Sequence, residues 1–500
     1  MLIKWLETHS VGSVRSGKSL RKGREMKINS LRVLSGRFLS LALFALIVPH
    51  GTAQTYTTLA SFDSPISGSA PYVAPIQGPN GNFYGTAGES GPNGEGTIYD
   101  VTPSGTLTVL HSFEGADGGW PQAPFIMTAA GNLFSTTFAG GESNLGAIYE
   151  VTTNGTVTTL HSFDGTDGVN PVAGVILARD GNFYGVTSGT NAPYGTIFKF
   201  TPAGKLTTLH SFCLNSACLD GAFPYASLVQ GTDGKLYGTA ANGGAHGGGT
   251  IYRITPAGSL SVLYAFCSLR NCADGTYATT GLIQGTDGNF YGTTTQGGAF
   301  GGGTVFKITP AGTYSVLHTF CAESSCADGS GPNGPLVQAS DGDFYGTTQV
   351  GGTHLNTGVV FKLTPAGQYS TLYDFCSQTS CTDGSAPYAP LMQGTDGSLY
   401  GTTAEGGSTN SGVVFQVSAG LPAFAEAVPD FGRIGAQVMI LGNRLIGTTR
   451  VSFTGITAAF TVVSDTEILA TVPTGATTGK VTLTTTHGNL ETSVSFQVTK

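Results

Sequence analysis

Apolar and small residues alternate with turn-forming residues along the chain, and the alternation repeats about every fifty residues between about Thr55 and Gly420. One phenylalanine marks the same point of each copy: Phe62, Phe113, Phe163, Phe212, Phe266, Phe320 and Phe375. Self-similarity of this kind is typical of repeat architectures, in which each copy is one supersecondary unit. The pattern therefore predicts seven copies of one small β unit.

The copy between residues 281 and 320 shows how one unit is divided. An apolar segment leads into the Asp-Gly turn of residues 285–288, which favours a tight hairpin. A Gly-rich loop at 296–303 and a Pro-Ala-Gly turn at 310–312 separate the later segments. The strands predicted in this copy are 282–284, 289–294, 304–309 and 313–320. Four sequential antiparallel strands form one blade of a β-propeller.

The two ends of the array predict how the ring of blades closes. The last copy stops after its third strand at 413–417, and a matching fourth strand stands at the front, at 56–62. Pairing of these strands would leave no exposed sheet edge. The predicted fold is therefore an all-β, seven-bladed propeller over residues 54–420, closed by an N-terminal strand.

The stretch GTDGNFYGTTTQGGAFGGGTVFKITPAG at residues 285–312 resembles the tandem repeat called GloVer, which is found in secreted bacterial proteins. It resembles the propeller repeats of sensor-kinase ectodomains less closely. The resemblance implies a propeller and no established activity.

The repeat is lost from Leu421 onward, and a different strand pattern follows. The strands predicted there are 437–441, 450–453, 457–463, 467–472, 479–485 and 493–498. Short alternating strands in so small a segment favour a small β-sandwich over residues 421–500. The run from Val438 to Thr485 is similar to the immunoglobulin-like IPT/TIG domain, whose members serve as spacers or interaction modules.

Residues 1–53 have the pattern of a secretory signal peptide, with Met26 as a plausible true start. Basic residues precede the apolar run 38–48, and small residues end the segment at Ala53. The run is shorter than the about 20 residues that a membrane-spanning helix needs. We therefore expect a protein that is extracellular or periplasmic and has no membrane span.

The charge of the chain argues against nucleic-acid binding. Nine of the 22 basic residues but two of the 30 acidic residues lie in 1–53, which leaves 13 basic and 28 acidic groups and a formal charge of −15. Such a surface repels phosphate backbones.

Eight cysteines form four pairs with identical spacing, each in the loop that leaves a fourth strand: Cys213 and Cys218, Cys267 and Cys272, Cys321 and Cys326, Cys376 and Cys381. In an exported chain this pattern favours four local disulfides. A zinc site needs four ligands at one point, whereas these pairs lie on different blades, so no metal site is predicted.

The long loops between blades lie on one face of the predicted ring, and binding sites are commonly built from such loops. One column recurs there, with Ser in the first copy and Asp in the other six: Ser67, Asp117, Asp167, Asp220, Asp274, Asp328 and Asp383. A ring of carboxylates could hold structural calcium. The favoured interpretation is a side-chain-to-backbone turn that every copy needs, because Gly follows each of these residues.

Aromatic residues follow the acidic column at Tyr72, Trp120, Phe223, Tyr225, Tyr277 and Tyr388. Aromatic faces suit sugar rings, so these residues are candidates for binding carbohydrate, with a protein partner as the next ligand class. The alternative is that they pack between blades. Trp120 is the sharpest departure from the repeat and the only tryptophan beyond residue 53.

Three glutamates of the Gly-rich loops, Glu89, Glu142 and Glu405, belong to blades that are neighbours in a closed ring. Paired carboxylates can cleave glycosidic bonds, although loop acids are more often solvated. The histidines at His111, His161, His210 and His318 occupy one fourth-strand column and are interpreted as packing. We expect a secreted, non-enzymatic binding or adhesion protein without a cofactor; the alternatives are a polysaccharide-cleaving enzyme and a structural cell-surface component.

Overall fold

A computed structural model of the protein describes residues 54–189, 194–215 and 217–499. Seven four-stranded antiparallel sheets occur in chain order and are followed by two more four-stranded sheets and one two-stranded sheet near the C-terminus. This confirms the all-β, seven-bladed propeller followed by a small immunoglobulin-like sandwich. The predicted signal peptide lies outside the described residues.

Each blade begins with a two-residue strand at the ring axis and ends with a strand at the circumference. The first strands are Ile76–Gln77, Ile126–Met127, Ile176–Leu177, Val229–Gln230, Ile283–Gln284, Val337–Gln338 and Met392–Gln393. The second strands are Phe83–Ala87, Leu133–Thr137, Phe183–Thr187, Leu236–Ala240, Phe290–Thr294, Phe344–Thr348 and Leu399–Thr403. The third strands are Thr97–Val101, Ala147–Val151, Thr196–Phe200, Thr250–Ile254, Thr304–Ile308, Val359–Leu363 and Val413–Ser418. The fourth strands are Leu107–Ser112, Val157–Ser162, Leu206–Ser211, Leu260–Ala265, Tyr314–Thr319, Tyr369–Asp374 and Thr55–Ser61.

The second and third strands are buried on both faces because each blade packs against its two neighbours. Tyr291 of the fifth blade packs against Phe344 of the sixth, with ring centroids 4.2 Å apart. In six of the seven blades the third-strand aromatic lies over a glycine of the second strand. A Cβ added to Gly292 would stand 2.7 Å from the Phe306 ring, so a side chain at this position would displace the aromatic core.

The N-terminal strand closes the ring as the fourth strand of the seventh blade. Thr55–Ser61 pairs antiparallel with Val413–Ser418, from Thr55 opposite Ser418 to Ser61 opposite Val413. The Tyr56 ring stacks on Tyr373 of the sixth blade at 3.9 Å, and the Tyr56 hydroxyl donates to the Asp383 carbonyl. Tyr314 makes the same two contacts with the fourth blade, so the closing strand reproduces an ordinary blade contact.

The loops between blades carry the few helical turns and the disulfides. The helical segments are Ser64–Ser67, Arg270–Cys272, Ser324–Cys326 and Thr379–Cys381. The disulfides join the predicted pairs, Cys213–Cys218, Cys267–Cys272, Cys321–Cys326 and Cys376–Cys381.

The C-terminal sandwich consists of two four-stranded sheets and one two-stranded sheet. Their strands, in sheet order, are Glu426–Val428, Gln437–Leu441, Glu467–Thr471 and Phe460–Val462; Ile456–Thr457, Arg450–Phe453, Val481–Thr485 and Gly488–Glu491; and Phe431–Arg433 with Gln497–Thr499. The predicted strand 457–463 is two strands, and the first strand, Glu426–Val428, was not predicted. The domain bounds 54–420 and 421–500 stay a prediction.

The blades are bridged near the axis by glutamine side chains. In five of the seven blades the last residue of the first strand is a Gln whose side-chain oxygen accepts a backbone N–H of the preceding blade. Gln284, for example, accepts from the Thr232 N–H at 2.9 Å and donates to its own blade at Gly288.

The second blade departs from this pattern where the sandwich docks. Met127 replaces the Gln, and the residue that would donate to it is Pro79, which has no N–H. Instead, Met127 packs with Val428 and Met439 of the sandwich, and the Thr466 hydroxyl donates to the Pro79 carbonyl at 2.6 Å. The sandwich therefore docks on the tight-turn face of the propeller.

No helix among the described residues is long and apolar enough to cross a membrane.

Removal of the closing strand tests the ring closure. Deleting residues 54–62 exposes the edge of Val413–Ser418, so we expect a lower melting temperature and loss of single-step melting. Tyr56→Ala should produce a smaller loss in the same direction, whereas Thr57→Ala, an exposed position on the same strand, should melt like the parent. Calorimetry measures all three; parental melting of the deletion variant would contradict the closure.

Met127→Gln tests the docking of the sandwich. The Gln amide could still donate to its own blade, but its oxygen would be buried without a donor, at a cost of about 1–3 kcal/mol. We expect faster hydrogen exchange in the sandwich strand Glu426–Val428. Gln338→Met removes the equivalent hydrogen bond between the fifth and sixth blades, which make none of the sandwich contacts described above, and serves as the control. Unchanged exchange in Met127→Gln would show that this contact does not hold the sandwich.

Candidate ligand-binding site

A channel with a volume of about 520 Å³ runs along the propeller axis, and we call it the axial channel. Its wall comes from the segment that enters the first strand of every blade. Its lining includes Tyr72, Gln122, Val172, Tyr225, Thr279, Asn333 and Tyr388, which are equivalent positions of the seven repeats. These seven residues surround the mouth of the channel on the long-loop face.

Below the mouth the wall is aliphatic. The repeat places a Leu and a β-branched residue or Met next to each other in the first strand of most blades. The aliphatic lining residues include Ile76, Leu228, Leu282, Ile283, Leu336, Val337, Leu391 and Met392. Such a wall offers apolar contact and no charge.

The C-terminal sandwich closes the far end of the channel. Phe424, Glu426, Ser493 and Val494 are part of its lining. The sandwich is anchored there through the tight turn of the seventh blade, because the Phe424 N–H donates to the Thr395 carbonyl at 3.1 Å and Asn443 donates to the Thr395 hydroxyl at 2.7 Å. The far end of the channel, which we call its floor, is therefore lined by residues of another fold.

Glu426 dominates the electrostatics of the floor. Its carboxylate is only partly reached by water from the channel, and no hydrogen-bond or ion-pair partner for it is found among the described residues. Burial, followed by the negative charge of Asp430, raises the pKa of Glu426 to about 7. Burial also raises the pKa of Asp430, while Arg179 acts in the opposite direction on it.

Three of the predicted aromatic residues lie at the mouth. The rings of Tyr72 and Tyr388 meet edge to face with centroids 5.7 Å apart. The Gln349 amide donates to the Tyr388 hydroxyl. Burial raises the pKa of Tyr225 to about 12, with a smaller contribution from nearby Tyr277.

The remaining predicted aromatic residues lie two positions earlier in the loop, outside the channel lining. Trp120, Phe223 and Tyr277 share a left-handed backbone conformation, with φ of 53°, 59° and 61°. Trp120 stacks on Phe138 of its own blade, with centroids 6.1 Å apart, and remains half-buried. Phe223 stacks on Tyr225 at 5.9 Å and so supports a mouth residue. Sequence reasoning placed these two columns together; the structure separates them.

Of the three glutamates predicted as candidate site residues, two lie at the mouth and one does not. Glu89 accepts a hydrogen bond from the Tyr72 hydroxyl at 3.0 Å, and Glu405 also acts electrostatically on Tyr72. Glu142 lies on an exposed turn, three residues beyond the position that Glu89 and Glu405 share in their repeats. The structure thus joins two of the three glutamates to one mouth residue.

The histidine and acidic columns contact each other, which sequence reasoning did not anticipate. His111 lies 2.7 Å from Asp117, and His161 lies 2.6 Å from Asp167. Tyr264 takes the place of His and donates to Asp274 at 2.7 Å. The same carboxylates accept backbone N–H groups of their loops, as the predicted turn requires. Each column member therefore folds its own loop. Calcium at these loops stays the less favoured alternative; no group of three or more His, Cys, Asp or Glu residues that could hold a metal ion is found in the part of the chain that the structure describes.

A second cavity of about 500 Å³ lies between the second and third blades. Phe134, Leu177 and Phe183 line it, and Pro429 of the sandwich borders it. Glu150, its charged lining residue, already accepts a hydrogen bond from Asn132 at 2.5 Å. The axial channel is therefore the better candidate site, because its floor holds an unpaired charge.

Sequence reasoning missed Glu426. The residue belongs to a strand that was not predicted, and it has no counterpart in the repeat. Two residues in the sequence could have indicated where the sandwich docks. Pro79 and Met127 depart from the repeat at that contact.

A ring of seven blades around an axial channel defines a β-propeller. The chain belongs to the Gloeobacter/Verrucomicrobia repeat family, which matches residues 45–230, 127–284 and 229–457. Residues 422–499 match the IPT/TIG domain.

Solved structures resemble the chain at low sequence identity. A streptogramin B lyase matches with a TM-score of 0.50 and 14% identity, over 74% of this chain and 98% of its own. A fungal alcohol oxidase in complex with copper has a TM-score of 0.48 and 13% identity, over 89% of this chain and 99% of its own. The extracellular domain assigned to a hybrid two-component system of B. thetaiotaomicron has a TM-score of 0.48 and 12% identity, over 88% of this chain and 57% of its own. No curated protein matches the chain.

Glu426→Gln tests the electrostatics of the floor. Because the folded protein holds the Glu426 proton up to a pKa of about 7, against an ordinary value of 4.5, stability falls as pH rises through that interval. We expect the variant to match the parent at pH near 4 and to be more stable at pH near 8, by about 1–2 kcal/mol after screening by channel water.

Denaturant unfolding at the two pH values measures the effect, and Glu142→Gln on its exposed turn is the control. An equal effect of Glu426→Gln at both pH values would contradict the raised pKa.

Proposed function

We propose that the protein is a secreted, non-enzymatic binding or adhesion protein that recognises carbohydrate at the mouth of the axial channel. The observation that carries this proposal is the grouping of Tyr72, Tyr225 and Tyr388 with the amides of Gln122 and Asn333 around one opening. Aromatic faces pack against the apolar faces of sugar rings, and amides satisfy the sugar hydroxyls.

The size of the channel supports a small ligand or the end of a longer one. Its volume of about 520 Å³ falls within the range of about 300–1,000 Å³ that is usual for small-molecule sites. The mouth residues are held by a closed ring, so a ligand would meet a preformed surface and lose little affinity to ordering the protein.

The disulfides support export. Four of them lie in surface loops, and such bonds persist in oxidising compartments. Together with the predicted signal peptide, they support an extracellular or periplasmic location.

A protein partner is the second candidate, because large apolar side chains are exposed on loop tips of the long-loop face. Leu214 and Leu355 are 75% and 80% exposed, and Phe300 is 60% exposed. Apolar side chains exposed together on one face are typical of protein contacts. Cleavage of polysaccharide by Glu89, Glu142 or Glu405, and a purely structural role, remain the alternatives.

A glycan array tests the proposal, with the chain from residue 54 onward as the probe. We expect binding that falls roughly tenfold in Tyr225→Ala, because one stacking face is lost. Tyr225→Phe keeps that face and should retain binding. Trp120→Ala should also retain binding, since Trp120 lies outside the channel lining.

Thermal melts confirm that each variant is folded. Binding that Trp120→Ala abolishes and Tyr225→Ala leaves intact would move the site away from the channel. Absence of glycan binding, with release of reducing ends from polysaccharide, would favour the enzyme.

A further inference from the structure

Glu426 is the only residue with a charged side chain among the described residues that line the axial channel. The other lining residues are aliphatic, aromatic, or neutral and polar. A carboxylate enclosed by such a wall loses hydration, and this loss is costly unless a cation or several donors compensate for it.

No hydrogen-bond donor or cation that would compensate for this loss is found on Glu426 among the described residues. The charged group that acts on Glu426 is Asp430, which is also negative, whereas Arg179 acts on Asp430 and donates to the Gly231 carbonyl at 2.8 Å. Lys480, close to the floor residue Ser493, donates to the carbonyl oxygens of Thr492 and Ser493. The Glu426 carboxylate therefore faces the channel without a positive partner.

We propose that the axial channel recognises a ligand that carries a protonated amine, which binds the Glu426 carboxylate at the floor while the body of the ligand lies against the aliphatic wall. The inference rests on the proposed function, since it assigns a chemical class to a ligand of the same channel. An amino sugar or an amine-bearing glycoside combines this group with the sugar surface that suits the mouth.

The charges at the mouth of the channel also favour a cationic ligand. Glu89 and Glu405 lie beside Tyr72 at the mouth, and the chain beyond residue 53 carries a formal charge of −15. A channel with negative groups at both ends and an apolar wall attracts cations and disfavours anions. Charge-assisted hydrogen bonds from an ammonium are about twice as strong as neutral ones, so the amine would decide specificity.

Protonation of the Glu426 carboxylate should make the affinity for an ammonium depend on pH. The groups that act on this protonation are Glu426 itself, Asp430 and, through Asp430, Arg179. A primary amine keeps its proton to a pH of about 10, whereas Glu426 becomes fully charged only above its pKa of about 7. The affinity for an ammonium should therefore rise between pH 6 and pH 8.

Titration calorimetry with n-hexylammonium and n-hexanol tests the inference on the chain from residue 54 onward. The two probes share an apolar body and differ in charge. We expect the parent to bind hexylammonium at least about tenfold more tightly than hexanol at pH 8. The preference should disappear in Glu426→Gln and persist in Glu142→Gln.

Equal affinity for the two probes, or an unchanged preference in Glu426→Gln, would overturn the inference. Glycan binding at the mouth that is indifferent to Glu426→Gln, with no binding of hexylammonium, would overturn it and leave the proposed function standing. Absence of both glycan and hexylammonium binding would reject both.

Discussion

The packing of one blade against the next is the interaction on which the rest of the structure depends. Each blade is a thin sheet that buries its faces only between neighbours, as the Tyr291–Phe344 contact illustrates. A row of such sheets would expose an edge and a face at each end, so the array must close. Thr55–Ser61 closes the array by pairing with the third strand of the seventh blade. At this junction Tyr56 stacks on Tyr373 of the sixth blade, as Tyr314 stacks on Tyr264 between two blades inside the array.

In the closed ring most residues at equivalent repeat positions have the same structural role. The Asp and His columns fold the interblade loops, and the Gln column bridges blades near the axis. A residue that recurs in every copy is under the same structural demand in every copy. Departures from the pattern are therefore informative, and the clearest is the loss of the Gln bridge between the first and second blades, where Pro79 and Met127 contact the sandwich instead.

The sequence predicts the bounds of most blade strands to within one or two residues, because each strand and turn occurs in seven copies that can be compared. It also predicts the disulfide pairing and the strand that closes the ring. The sandwich is predicted less well, because Glu426–Val428 occurs once and no second copy reveals its register. Of the candidate site, Tyr72, Tyr225 and Tyr388 are found at the mouth, whereas Trp120 and Glu142 lie elsewhere. A fixed position in a repeat indicates the blade and loop of a residue, but not whether its side chain faces the axis or the loop surface.

The sandwich changes the chemistry that a symmetric ring can offer. A charged residue placed on the axis by the repeat would appear seven times, and seven like charges around one channel would repel one another. The single charge among the described residues that line the channel comes from outside the repeat, because Glu426 belongs to the C-terminal sandwich. The same docking that breaks the Gln bridge thus brings to the floor the one charged side chain that the described lining contains. The repeat contributes an apolar wall and a neutral polar mouth, and the sandwich adds a carboxylate that the repeat does not supply.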